Sequence, residues 1–316
     1  MRVEIARDVF TEPHPIRRHI QAVDRLLETF DEGRHDWVVD FDDIDDVASY
    51  VTKHSPTLAP TYVAMAEMAA VQNNAWTGTT QAGSVLHVPK PEVAEYSADL
   101  YRKAIIAVEN VPGDKFFLVA VAHAFDARRL RDAIERKWVE FRHGGGSGLP
   151  AVAEEEAGHF HRHIRVVAVF DSDSLAPDHE GPNREKAKRL RDKRIAAYVL
   201  LRREAENYAP DRVLVTVGHK ARAAKRVALM GRLLPHQRGH LDIKKGLPKT
   251  LVPEQKAIYA ALDQDVRDGL SSGFGDGVLK RMHEMREELS EADFEAMDAD
   301  AAADLRTLLV LIDSLI

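Results

Sequence analysis

Residues 164–194, IRVVAVFDSDSLAPDHEGPNREKAKRLRDKR, set an apolar run directly before two aspartates, Asp171 and Asp173. The run IRVVAVF is short, rich in valine and apolar apart from Arg165, so it reads as a strand buried on both faces, as in the centre of a parallel sheet. Active residues of such sheets collect beyond the strand carboxyl ends, which is where Asp171 and Asp173 fall. Two carboxylates so close together repel unless a cation or hydrogen-bond donors neutralise them, and magnesium favours oxygen ligands. An Asp-Ser-Asp turn or helix cap uses the same residue types. The pair alone leaves both readings open.

Working outward, the flanking segments alternate. KFFLVAVA reads as a strand, FDARRLRDAIERK as an amphipathic helix, WVEFRH as a second strand, GGGSG as a turn and LPAVAEEEAGHFHRH as a helix. After the aspartates, KAKRLRDKRIAAYVLLRREAENY is a long helix or a helix followed by a strand, and DRVLVTV a fourth apolar segment or part of the next helix. Strands alternating with helices predict an α/β fold with a parallel sheet core over residues 112–250. Residues 1–111 read as mostly helical, from the spacing in IRRHIQAVDRLLETF, TLAPTYVAMAEMAAV and EVAEYSADLYRKAIIAVENV. WVVDFDDIDDVASYV could begin as a short strand, and QNNAWTGTTQAGSVLHVPKP reads as a long loop. Residues 251–316 form an acidic helical region whose last helix is apolar enough to pack on the core or on another subunit.

The sequence of 316 residues has no cysteine, which excludes disulfides, thiolate zinc sites and cysteine nucleophiles. Any metal must sit on carboxylates, histidines, carbonyls or water. The net charge of −7 hides an asymmetry: residues 184–203 carry nine Lys/Arg against two acids, and residues 251–316 fifteen acids against six Lys/Arg. The basic run suits contact with a phosphate backbone, though its apolar partners Leu190, Ile195, Val199 and Leu200 also fit a plain amphipathic helix. With no apolar span of membrane length and no apolar leader after MRVEIARDVF, a cytoplasmic protein without a membrane partner is expected.

Four short motifs stand in a telling order: HGGGSG at 143–148, FDSD at 170–173, RREAENYAP at 202–210 and HLDIKKG at 240–246. This order resembles the topoisomerase–primase (TOPRIM) fold of overcoming-lysogenization-defect nucleases and related phage-defence proteins. The resemblance covers roughly residues 112–250. It implies a nuclease that hydrolyses phosphodiesters of DNA or RNA with Mg2+ or Mn2+, in phage defence or nucleic-acid processing. Asp171, Asp173 and Glu206 would hold the metal, Lys244 or Lys245 would contact the phosphate, and Arg184, Lys186, Lys188, Arg189, Arg191, Lys193, Arg194, Arg202 and Arg203 would meet the nucleic-acid backbone. Such proteins often act beside an ATPase. No Walker motif occurs here, so an ATPase would be a separate subunit; a homo-oligomer is a further option.

One departure stands against this. In the resembling proteins the first strand ends in a glutamate that ligates metal, whereas KFFLVAVA ends in Ala122; Asp126 fits the acid that follows. Either Glu109, in AVENVPGD, takes the glutamate's place as a metal ligand, or the chain is a scaffold that binds a partner without chemistry. A glycosyltransferase or phosphatase would also set Asp-x-Asp after a strand, but their accompanying motifs are not evident. GGGSG could cradle a phosphate or be a plain turn, and His159, His161 and His163 could share a face on a strand or lie at the surface.

Overall fold

A computed structural model describes residues 1–76 and 85–316. Two segments decide its centre. Ala104–Val108 (β4, AIIAV) and Val166–Phe170 (β6, VVAVF) are buried along their whole length. They lie side by side, Ile105 opposite Val166, and are flanked by Val139–His143 (β5) and Ala196–Val199 (β7) in a four-stranded, all-parallel sheet of order β5-β4-β6-β7. The protein is therefore an α/β fold with a parallel sheet core.

Side-chain alternation divides the core in two. Ile106, Val108, Val167 and Val169 face the Val111–Ala124 helix and the C-terminal helices. Ile105, Ala107, Val166, Ala168 and Phe170 face Leu149–Ala157 and Asn183–Asp192, through Leu149, Ala153, Ala187 and Leu190. Both faces are covered, so the central strands need no polar alternation.

The sheet starts one strand earlier than the sequence suggests. KFFLVAVA belongs to the Val111–Ala124 helix, with Ala122 buried on it. A short apolar run gives the same signal in a buried helix as in a central strand, and Pro112 in the first helical turn decides for the helix. The true first strand, β4, lies in the second half of a stretch that reads as one helix, since Val93–Tyr101 stops before it. The boundary expected at residue 112 thus falls inside the core. DRVLVTV is not a strand: Asp211–Leu214 is one helical turn. KAKRLRDKRIAAYVLLRREAENY resolves as a helix followed by β7.

The N-terminal region also differs from a mainly helical reading by holding a sheet of its own. Arg2–Ile5 (β1), Asp36–Val38 (β2) and Val85–Val88 (β3) pair in parallel in the order β2-β1-β3. Val3, Val23, Leu26, Leu27, Val51 and Val88 are among the residues that fill a separate core beneath it. Strands of three and four residues are too short for a period of two to register. Of the long loop expected over QNNAWTGTTQAGSVLHVPKP, residues 72–76 complete the Ala59–Trp76 helix and 85–88 form β3; residues 77–84 lie outside the described residues. The C-terminal helices close one face of the core, and Ala299–Asp313 packs on it through Leu305, Leu308 and Ile312. Among the described residues no helix is long and apolar enough to cross a membrane.

Buried polar ties join the two sheets' units. Asp99 accepts the backbone N–H groups of His161 (3.0 Å), Arg162 (2.7 Å) and His163 (2.9 Å), and its Oδ1 lies 3.2 Å from His161 Nδ1. This gives the HFHRH cluster a structural role and spends its backbone donors on one carboxylate. Arg165, fully buried, donates to the carbonyls of Leu100 (2.9 Å), Arg102 (2.6 Å) and Leu315 (2.7 Å); burial lowers its pKa to about 9. Asp99→Ala would strand three N–H groups and is expected to cost about 3 kcal/mol, measurable as a lower denaturant midpoint.

Candidate functional site

Parallel strands carry their carboxyl ends to one edge. The connection leaving β4 runs to β5 on one side and that leaving β6 runs to β7 on the other, so the edge between β4 and β6 is where the strand order reverses. Ligand sites in open α/β sheets form at such a point. Glu109 follows β4 there and Asp171 follows β6. Glu109 therefore stands at the end of a central strand, whereas Ala122 lies within a helix. Asp126, the acid paired with it in the sequence reading, is exposed and bound to Arg128 at 2.9 Å.

The Asp-Ser-Asp turn is held rigidly. Ser172 Oγ donates to the Arg202 carbonyl at 2.9 Å, and Asp173 N–H donates to the Arg203 carbonyl at 3.0 Å. Asp173 takes a left-handed backbone, φ 53°, which aspartate tolerates better than most residues. Gly181 presses on this turn so closely that a Cβ there would lie 1.7 Å from the Ser172 carbonyl oxygen. Asp171 Oδ1 accepts the Ala205 N–H at 2.9 Å, which brings the 204–208 segment against the strand end.

That segment delivers two more acids. Glu204 and Glu206 are buried, and Lys244 Nζ lies 3.3 Å from a carboxylate oxygen of each. Arg203 pairs with Asp242 at 3.3 Å and lies 3.7 Å from Glu204. Asn183, buried at the start of the basic helix, donates through Nδ2 to Glu109 Oε1 and Asp173 Oδ2, each at 3.0 Å. Asp114, in the first turn of the helix after β4, accepts the Asn110 N–H at 2.8 Å.

Crowding shows in the titration of these groups. Burial, then the charges of Asp114, Glu206 and Glu109, pushes Asp171 well above the carboxylate range. Burial, then Asp173 and Asp114, lifts Glu109 to about 7. Burial also raises Asp114. Burial opposes the Lys244 charge, but Glu206 and Glu204 outweigh it and keep the ammonium protonated. Six carboxylates, those of Glu109, Asp114, Asp171, Asp173, Glu204 and Glu206, thus share one neighbourhood with Lys244, Lys186 and Arg203.

Comparison of the chain with family models, curated proteins and solved structures finds no match. What the site can do is therefore read from its own chemistry. The donor set is all oxygen, as hard divalent cations require. Among the described residues, however, no three potential ligands are already gathered into a shell. The Asn183 amide and the Lys244 ammonium stand between the acids instead.

The structure sorts the expected site residues. Asp171, Asp173, Glu206, Glu109 and Lys244 come together, whereas Lys245 is exposed and only its N–H is engaged, by Asp242 at 2.7 Å. Arg184, Lys188, Arg189, Arg191, Lys193 and Arg194 are exposed. Three residues expected on the nucleic-acid face are turned elsewhere. Arg202 is buried, paired with Asp298 and stacked over Tyr208. Lys186 is bound to Asn183 at 2.7 Å and Arg203 to the acids of the site. Charge density along the sequence cannot show such inward turns. Asp114, Glu204 and Asn183 went unrecognised; Asp114 would have stood out once β4 was placed, being in the first turn after it.

The raised Glu109 pKa fixes a sign. The folded chain holds this proton more tightly than the unfolded chain, so stability falls as pH rises from about 4.5 to about 7. Glu109→Gln, which mimics the protonated acid, is expected to raise the melting temperature near pH 8 and flatten its dependence below. Thermal melts of both proteins across this range provide the check.

Proposed function

We propose that this chain is a metal-dependent phosphodiester hydrolase with a TOPRIM-like centre, cleaving DNA or RNA. One observation supports it above the others: Glu109 and the Asp171/Asp173 pair occupy the carboxyl ends of the two central strands, bridged by a single side chain. That is the arrangement implied by the motif resemblance, with Glu109 filling the part of the missing glutamate. The scaffold alternative drew on Ala122 and loses that support, because Ala122 lies on a helix.

Glu109, Asp171, Asp173 and Glu206 would hold Mg2+ or Mn2+, the metal supplying charge neutralisation at the phosphate and a water of lowered pKa. The remaining work belongs to the chain. The Ala205 N–H fixes one Asp171 oxygen, leaving the other to the site. Lys244, kept charged by Glu204 and Glu206, is a cation poised for the scissile phosphate, and it rather than the exposed Lys245 is the phosphate contact of this reading. The outward residues Arg184, Lys188, Arg189, Arg191, Lys193 and Arg194 form a sequence-independent contact for the sugar-phosphate backbone. A role in phage defence, with an ATPase as a separate subunit, belongs to the same reading.

Purified protein with plasmid DNA or RNA and Mg2+ or Mn2+ is expected to nick or cut, and Asp171→Ala to lower the rate by about 100-fold or more. Absence of cleavage with either metal and either nucleic acid, with the protein folded and an ATPase supplied, would sink the hydrolase reading. Replacing Arg184 and Arg189 with alanine should weaken binding similarly for unrelated sequences. It should also lower the salt slope of the affinity by about two, read by fluorescence anisotropy at several salt concentrations.

A further inference from the structure

We propose that Asn183 is a positioning residue for the metal ligands, its carboxamide fixed in one orientation by Lys186; the proposal rests on the hydrolase reading above. Asn183 Nδ2 lies 3.0 Å from Glu109 Oε1, 3.0 Å from Asp173 Oδ2 and 2.9 Å from the Asp171 carbonyl oxygen. One amide nitrogen thereby ties the end of β4 to both aspartates after β6. The side chain is 1 % exposed, so its donors have no water to turn to.

The orientation is decided by its neighbour. Lys186 Nζ donates to Asn183 Oδ1 at 2.7 Å, and an ammonium can only donate. Flipping the amide would set a carbonyl oxygen against two carboxylates and an N–H2 group against the ammonium. Both contacts would be repulsive, so Lys186 keeps the donors aimed at the acids.

A neutral donor has a particular value here. It draws Glu109 and Asp173 toward one point while leaving their negative charge intact for a cation, whereas an arginine there would cancel that charge. The surrounding loop is built for the delivery: Gly181, two residues earlier, admits the Ser172 carbonyl where any Cβ would collide. Lys186 thus acts through Asn183, despite being a cation close to a cation site.

Mn2+ titration by calorimetry on the metal-free full chain tests this without an activity assay. Asn183→Ala is expected to weaken Mn2+ binding about tenfold, the scale for residues that orient metal ligands. Lys186→Met should weaken it in the same direction, and adding it to Asn183→Ala should bring no further loss. A lysine acting only by charge predicts the opposite, tighter Mn2+ binding once the ammonium is gone. Unchanged or tighter binding in Lys186→Met overturns the proposal even if Asn183→Ala fails to fold. Unchanged binding in a folded Asn183→Ala does the same and leaves the hydrolase reading standing. If the wild-type chain binds no Mn2+, both fall.

Discussion

β4 and β6 are buried on both faces, run parallel, and touch. Hydrophobic burial fixes where they lie, and parallel pairing then sends both carboxyl ends to one edge of the sheet. Residues 109 and 171, 62 positions apart in sequence, are thereby brought to the same edge whatever their charge. Both are acids, so the force that builds the core also compresses negative charge at its rim. Burial first, and then the neighbouring carboxylate charges, raise Asp171 and Glu109 above the usual carboxylate range. The Ala205 N–H, the Asn183 amide and the Lys244 ammonium are the donors set against this repulsion.

The sequence made one of the two strands easy to read and concealed the other. VVAVF stands between charged or turn-forming residues, so its apolar run has clear bounds. AIIAV follows directly on a helix with only Arg102 and Lys103 between, and its alanines lengthen a helical pattern smoothly. The neighbouring run KFFLVAVA is longer, carries two phenylalanines and competes for the strand assignment. Its helical state is decided by Pro112 and by packing against both the sheet and the C-terminal helices, a tertiary cause. From that single displacement came the expectation that the first strand ends at Ala122 rather than just before Glu109. Asp171 and Asp173 were legible because they follow a clear apolar run, whereas Glu206 and Lys244 were reached only through the motif resemblance. Asn183 was not legible, because an asparagine after Gly-Pro reads as an ordinary helix start.

The same placement bears on the N-terminal unit. Asp99 captures three consecutive N–H groups of the segment leading into β6, and Arg165, one residue before that strand, is held by carbonyls at 100, 102 and 315. Both ties converge on the amino end of β6, opposite to the acids. Loss of either would leave buried polar groups without partners, a penalty larger than a typical hydrogen bond is worth. The N-terminal unit is thus an anchor for the central strand as well as a separate layer, which couples the position of Asp171 to contacts more than sixty residues earlier in the chain.

Two kinds of donor meet the acids, and they differ in what they leave behind. Lys244 compensates Glu204 and Glu206 with a full charge on a flexible stem, so it can shift to another anion when one arrives. Asn183 compensates Glu109 and Asp173 with a dipole from a buried, immobilised side chain, so it neither neutralises nor moves. On the proposed hydrolase reading, the first half of the site would exchange an internal carboxylate for a phosphate, and the second would receive a cation between carboxylates already drawn together. A centre that hydrolyses a phosphodiester needs both properties at once, one for the anionic substrate and one for the metal. Their division between a mobile cation and a fixed amide follows from which residues the two strand ends and their loops bring to the edge.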